Sequence, residues 1–251
     1  MFIDTHCHLS TEDYEDINSV LLENRESGIS KMIVSGCTRD SILETLSYCD
    51  QYEDVYCTIG YHPSEAGITT EEDLLLLEKQ IQNKKVVGIG EIGLDYHYGK
   101  EDISLQKELF HKQMKLAEKY HLPVVIHSRD ATQDTIDVLK EYPTVKGDIH
   151  CFSGSIETAM IYTKMGYFLG IGGVVTFKNS NLFKVIEAIG LSHILLETDA
   201  PYLAPEPYRG KINSSKYIPV IASRIAEILC VSVDEVSKKT TQNACTLFDL
   251  Q

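Results

Sequence analysis

Apolar residues fall in blocks of two lengths along the chain. Short runs rich in β-branched residues occur at 2–7, 31–35, 55–59, 86–91, 123–127, 147–150, 167–171 and 194–199. Their length and composition predict strands. Longer stretches between them carry apolar residues every three or four positions, which places one stripe on a helix. Ile17, Val20 and Leu21 mark a helix ending near Gly28; Ile42, Leu43 and Leu46 mark 40–50; Leu74, Leu75, Leu77 and Ile81 mark 71–82. Leu109, Leu116 and Ala117 mark 105–120, and a further helix follows at 132–142. Helical segments near 216–230 and 233–248 finish the chain, the second opening on Ser232-Val233-Asp234-Glu235, a capping-box pattern.

Eight strands alternating with helices over 251 residues predict an α/β fold, a parallel (β/α)8 TIM barrel in one domain spanning 1–251. A doubly wound open sheet is the alternative, but no G-x-G-x-x-G follows the first strand. In a barrel, loops at the C-terminal ends of the strands carry the chemistry. Strand side chains alternate faces, so His6 and His8 point one way and Cys7 the other. The other strands end in Glu91, His127, His150 and Asp199. Taken singly, each is an ordinary polar residue closing a strand. Together they are a set of divalent-cation ligands aimed at one mouth. Histidine and carboxylate without thiolate suit Mg²⁺, Mn²⁺ or Zn²⁺.

Parity suggests a supporting layer. Asp4 shares a face with His6 and His8 and is placed to orient an imidazole through its second ring nitrogen; Glu197 lies beneath Asp199. Asp148, in phase with His150, puts a carboxylate inside the barrel, while Gly88 and Gly90 leave room for a helix to pack close. His62, in Gly60-Tyr61-His62-Pro63, faces the same mouth and is a candidate substrate contact. His97, His111, His121 and His193 are read as surface residues.

Charge narrows the partners. Acidic residues outnumber basic ones 37 to 23, a formal net charge of −14. Such a surface repels an extended duplex, whose sequence-independent affinity comes from Lys and Arg. A nucleic-acid substrate must therefore be held locally, by cations or a few basic side chains. The seven cysteines form no C-x-x-C pair and several sit in apolar runs, as buried thiols in a reducing compartment do. No leader and no apolar run of membrane length is apparent, so the expectation is a cytoplasmic protein without membrane contact or obligate protein partner.

Five motifs now stand in order: Asp4-Thr-His-Cys-His8, Gly90-Glu-Ile-Gly-Leu-Asp-Tyr96, His127-Ser-Arg-Asp-Ala131, His150-Cys-Phe-Ser-Gly154 and Leu196-Glu-Thr-Asp-Ala-Pro-Tyr-Leu-Ala-Pro205. With these the chain resembles the TatD-type metal-dependent deoxyribonucleases, (β/α)8 barrels of the amidohydrolase superfamily, from residue 2 to Asn243, Ala244 and Phe248. The resemblance implies two divalent cations per subunit. His6, His8, Glu91 and Asp199 would hold one and His127, His150 and Glu91 the other, with Glu91 bridging. Two departures lie on the substrate side. Arg209, Gly210, Lys211 and Asn213 match the family's loop, but Ser214 and Ser215 replace its Glu-Pro; Ser64 replaces a second histidine after His62-Pro63.

The activity implied is a deoxyribonuclease working 3′ to 5′ on single-stranded or frayed ends. A cation-activated bridging hydroxide would attack the phosphodiester, and Asp199 would take the water's proton and pass it to the leaving oxygen. Arg129, Arg209, Lys211 and Asn213 would hold the substrate. The superfamily also hydrolyses amides, lactones and esters, so a small amide, lactone or aminoacyl ester is the alternative substrate. A metal-bearing scaffold without turnover is a third reading.

Overall fold

The computed structural model describes residues 1–97 and 102–250. Its elements are β1 Phe2–Cys7, α1 Ile17–Glu26, β2 Ile29–Gly36, α2 Arg39–Gln51, β3 Val55–Ile59, α3 Glu71–Gln80, β4 Val86–Asp95, α4 Ile103–Tyr120 and β5 Val124–Arg129. They continue with α5 Thr132–Lys140, β6 Gly147–Ile149, α6 Ile156–Lys164, β7 Phe168–Ile171, α7 Leu182–Ile189, β8 Ile194–Leu196, α8 Ile218–Leu229 and α9 Val233–Phe248. The eight strands form one sheet in chain order, and each pairs parallel with the next. Backbone N–H groups of Thr198 and Asp199 donate to His6 O at 3.3 and 3.0 Å, drawing the end of the sheet against its start. This is the (β/α)8 barrel that the periodicity predicts.

Local chemistry sets the helix starts. Thr38 with Ser41 and Thr70 with Asp73 form reciprocal capping boxes on α2 and α3, and Ser232 accepts from Glu235 N at the start of α9. Two helices, α6 and α7, occupy stretches where the pattern marked none. On α6, Met160 and Ile161 are exposed between buried Ala159 and Tyr162, which blurs the stripe. Strand ends also move. β4 runs on to Asp95, while β6 and β8 stop at Ile149 and Leu196, leaving His150 and Asp199 on the loops beyond.

Buried Ile3, Ile33, Val87, Val125 and Leu195 come from five strands and pack with Ala244, Phe248 and Leu250 at the chain's end, so α9 plugs one end of the barrel. The other end of the interior is polar: Asp4, His6, Glu91, Asp148, His150, Glu197 and Thr198 are all buried. Gly88 and Gly90 are tight against β5 rather than a helix. A Cβ on Gly90 would lie 2.6 Å from Val125 Cβ, and one on Gly88 2.9 Å from Pro123 O. All seven cysteines are free; Cys7, Cys49 and Cys57 are buried, whereas Cys230 is exposed. Among the described residues, no helix is long and apolar enough to cross a membrane.

Candidate metal centre

Two of the strands that feed the polar end carry one residue more than their neighbours. Between Asp4 and Cys7 three steps on β1 match two on β2, and between Ile89 and Ile92 three on β4 match two on β5. Such a bulge re-aims side chains. The irregular stretches contain His6 and Glu91.

Glu91 lies at the centre. Its Oε1 is 2.6 Å from His127 Nδ1, 3.6 Å from His150 Nε2 and 4.0 Å from His62 Nε2. Its Oε2 faces His6 Nε2 at 3.5 Å and His8 Nε2 at 4.0 Å. Asp199 Oδ1 approaches His8 at 3.5 Å and both His6 and His150 at 3.8 Å. All six expected ligands are thus gathered, from β1 and the residue just after it, from β4 and β5, and from the loops after β6 and β8. Among the described residues, four overlapping trios have donor atoms close enough to hold an ion: His6-His8-Glu91, His6-His150-Asp199, Glu91-His127-His150 and His62-Asp95-His127.

The electrostatics are those of a crowded donor set. Burial acts to raise the Glu91 carboxyl, but His150, His127 and His6 hold it well below the usual range. Against the cost of burial, hydrogen bonds to Asp95 and Glu91 push His127 up to about 9. His8 and His150 are also held high despite burial, by Asp199 and by Glu197 and Glu91 respectively. Burial and the neighbouring His150 push His6 well down, and burial takes His62 down to about 4. His6 Nε2 and His8 Nε2 face each other at 3.3 Å. Two neutral imidazole lone pairs repel at that distance, so a proton or a cation must lie between such nitrogens.

Supporting contacts fix the rings. Ser35 O lies 3.2 Å from His8 Nδ1, which leaves Nε2 free to bind. Glu197 Oε2 is 3.3 Å from His150 Nδ1, and its Oε1 accepts Cys151 N–H at 2.7 Å. Asp95 Oδ2 takes the far nitrogen of His127 at 3.1 Å. Asp95 lies past the strand end at Glu91 that the apolar pattern predicts, although the four-residue spacing puts both on one face of β4. Ser64, the departure after His62-Pro63, holds His62 Nδ1 at 2.8 Å.

Asp4 departs from expectation. The extra residue in β1 breaks the alternation, and its carboxylate accepts from Thr198 Oγ1 at 2.6 Å and Thr198 N at 3.1 Å, not from an imidazole. His6 Nδ1 has no hydrogen-bond partner among the described residues, and neither has either oxygen of Asp148. Burial and the charge of Glu197 raise Asp148 well above the carboxylate range.

The expected substrate contacts separate. His62 joins the cluster, its ring 4.5 Å from that of His127. Arg129 is exposed at the end of β5, in register with Asp95. Arg209 stacks 4.3 Å over Phe177, and Lys211 is exposed on the same loop after β8. Asn213, expected at the substrate, is fully buried and donates to Thr198 O at 2.8 Å and Tyr202 O at 2.6 Å, so it braces that loop. Of the histidines read as surface residues, His97 and His121 are exposed; His111 is half-buried against Tyr142 Oη at 2.9 Å, and His193 is half-buried too.

The model of the family described as TatD related DNase matches residues 3–249. An uncharacterized metal-dependent hydrolase of Bacillus subtilis, YabD, is 41% identical over 252 residues, covering 99% of each chain. The crystal structure of the Escherichia coli TatD homologue YjjV superposes with a TM-score of 0.91 at 30% identity, covering 100% of this chain and 98% of that one. A TatD-family hydrolase from Entamoeba histolytica gives a TM-score of 0.87 at 26% identity, covering 98% of this chain and 97% of its own.

Proposed function

The chain belongs to the TatD-related DNase family, and on that footing we propose that it is a divalent-metal-dependent hydrolase that cleaves DNA phosphodiesters, 3′ to 5′, at single-stranded or frayed ends. The observation that carries this reading is the division of labour at Glu91, whose two oxygens face separate histidine pairs. The donor set fits two divalent cations: hard carboxylates and borderline imidazoles converge, and the imidazole nitrogens of His6 and His8 face each other 3.3 Å apart. His6, His8, Glu91 and Asp199 would hold one cation, and His127, His150 and Glu91 the other.

Bound cations supply Lewis acidity, polarising a phosphoryl oxygen and acidifying a water. The chain's own residues do the rest. Asp199, partly open to solvent beside His8, takes the water's proton on its carboxylate and returns it to the leaving oxygen. Glu197 and Asp95 keep the rings of His150 and His127 oriented. Arg129, Arg209 and Lys211 attract phosphates locally on an otherwise acidic surface, which favours strand ends over a long duplex. Seven free thiols suit a reducing cytoplasm.

The test is digestion of end-labelled single- and double-stranded oligonucleotides by stripped protein given Mg²⁺, Mn²⁺ or Zn²⁺. Cation-dependent loss of nucleotides from the 3′ end of single strands is expected. Inert oligonucleotides combined with turnover of an amide, lactone or aminoacyl-ester panel would replace phosphodiester by acyl chemistry.

A further inference from the structure

Tyr202 has an exposure that its position does not otherwise explain. It sits three residues after Asp199, and its side chain is 59% exposed. Large aromatic rings are usually covered, because leaving their apolar surface in water forgoes its burial energy. This ring stands 6.3 Å from that of His8, at an interplanar angle of 67°. It therefore flanks the donor cluster on the side of His8 and Asp199. Leu203 and Ile212, on the same loop, are 39% and 60% exposed.

The loop holding the ring is tied down, so the exposure is not the result of a loose segment. Tyr202 N donates to Asp199 O at 2.8 Å, and its carbonyl accepts the Asn213 amide at 2.6 Å. Asn213 N in turn donates to Pro201 O at 2.9 Å, and Tyr14 Oη donates to Asn213 O at 2.8 Å. A rigid backbone presenting an uncovered aromatic beside a reaction centre is preorganised for a flat ligand.

We propose that Tyr202 is a stacking platform for the nucleobase adjoining the scissile phosphate, and so a residue that determines preference for single-stranded nucleic acid. The proposal rests on the phosphodiesterase reading above. Every base has a π-face, so stacking recognises nucleic acid without sequence, and a base in an intact duplex has both faces taken. Arg209 and Lys211, on the same loop, carry the charge that a strand's backbone needs. The acidic surface elsewhere leaves stacking as the sequence-independent contribution that charge does not supply.

The chain has no tryptophan, so Tyr202→Trp installs a single indole at the platform, which can be excited apart from the remaining tyrosines. Mg²⁺-loaded Tyr202→Trp protein is titrated with a nuclease-resistant phosphorothioate oligothymidylate and with an abasic phosphorothioate strand of equal length. Quenching by the base-bearing strand and not by the abasic one is expected; equal quenching by both, or none with either, overturns the proposal. A second arm measures cleavage of unmodified base-bearing and abasic strands. The preference for the base-bearing strand should fall roughly tenfold in Tyr202→Ala and persist in Tyr202→Phe; an unaltered preference in Tyr202→Ala overturns the proposal as well. Hydrolysis of bis(p-nitrophenyl) phosphate by the wild type reports on phosphodiester chemistry separately. Its absence would count against the reaction, while the fluorescence still decides whether a base docks on the ring.

Discussion

Glu91 Oε1 and His127 Nδ1 lie 2.6 Å apart, and the opposite nitrogen of the same ring is held by Asp95 Oδ2 at 3.1 Å. The imidazole is clamped between two carboxylates, and its orientation depends on both. Replacing Asp95 by Ala is expected to weaken divalent-cation binding by about 10–100-fold. Calorimetric titration of stripped protein measures this, and an unchanged affinity would refute the clamp.

The same clamp makes the cation-free protein sensitive to alkali. Burial opposes the charge on His127, but Asp95 and Glu91 raise it from 6.5 to about 9. Its contribution to stability is fully present below the unfolded value and is lost as pH rises through the folded one. Thermal melts of cation-free protein should therefore show stability falling between pH 6.5 and about 9. Cations must displace that proton, so their apparent affinity should climb over the same interval. Melting temperatures and affinities that stay flat would remove His127 from the account.

Asp199→Ala should lower turnover by at least about 100-fold, the smaller end of what a positioned acid–base group contributes. The carboxylate is on a loop beyond β8, so the circular-dichroism spectrum and melting profile should stay close to wild type. Near-normal hydrolysis by this variant rules out the proton-transfer role.

Gly170→Ala tests the support under His150. A methyl group there would collide with Glu197 Oε2 and lie 3.2 Å from Asp148 Oδ2. Overpacking of this kind costs about 1–3 kcal/mol, and the displaced Glu197 would release the His150 ring. Reduced stability in denaturant titrations together with reduced cation affinity is expected. A loss of stability with cation affinity intact would show that Glu197 does not orient the ring.

Asn213→Ala removes two buried donors and leaves the carbonyls of Thr198 and Tyr202 unpaired. A cost of about 1–3 kcal/mol in urea unfolding is expected, with a higher KM for oligonucleotides as the loop loosens. Stability equal to wild type would contradict the bracing role.

The barrel and the convergence of the six candidate ligands were legible because they depend on local signals. Alternation of strand and helix periods shows directly in the residues, and each candidate ligand lies at the end of a β-rich run. Signals that depend on the third dimension were not. The extra residue in β1 breaks the parity on which Asp4 was assigned to an imidazole, and nothing in Asp4-Thr5-His6 announces it. Asn213 stands among basic loop residues like a substrate contact, yet the chain's return to Pro201 buries it. Asp95 was recoverable. It is in phase with Glu91 on the same strand, and Gly93 between them accommodates a close approach to His127 O.

The plug formed by Phe248 and Leu250 against Ile3, Ile33, Val87, Val125 and Leu195 gives the barrel a floor. On the proposed nuclease reading, a polymer arriving at the histidine end meets a blind hole, not a tunnel. It can dip a terminus or a splayed nucleotide into the cup, but it has no exit on the far side. On that reading, fragments leave by the route through which they came, and a shortened strand is cut again by advancing its new tip into the cup.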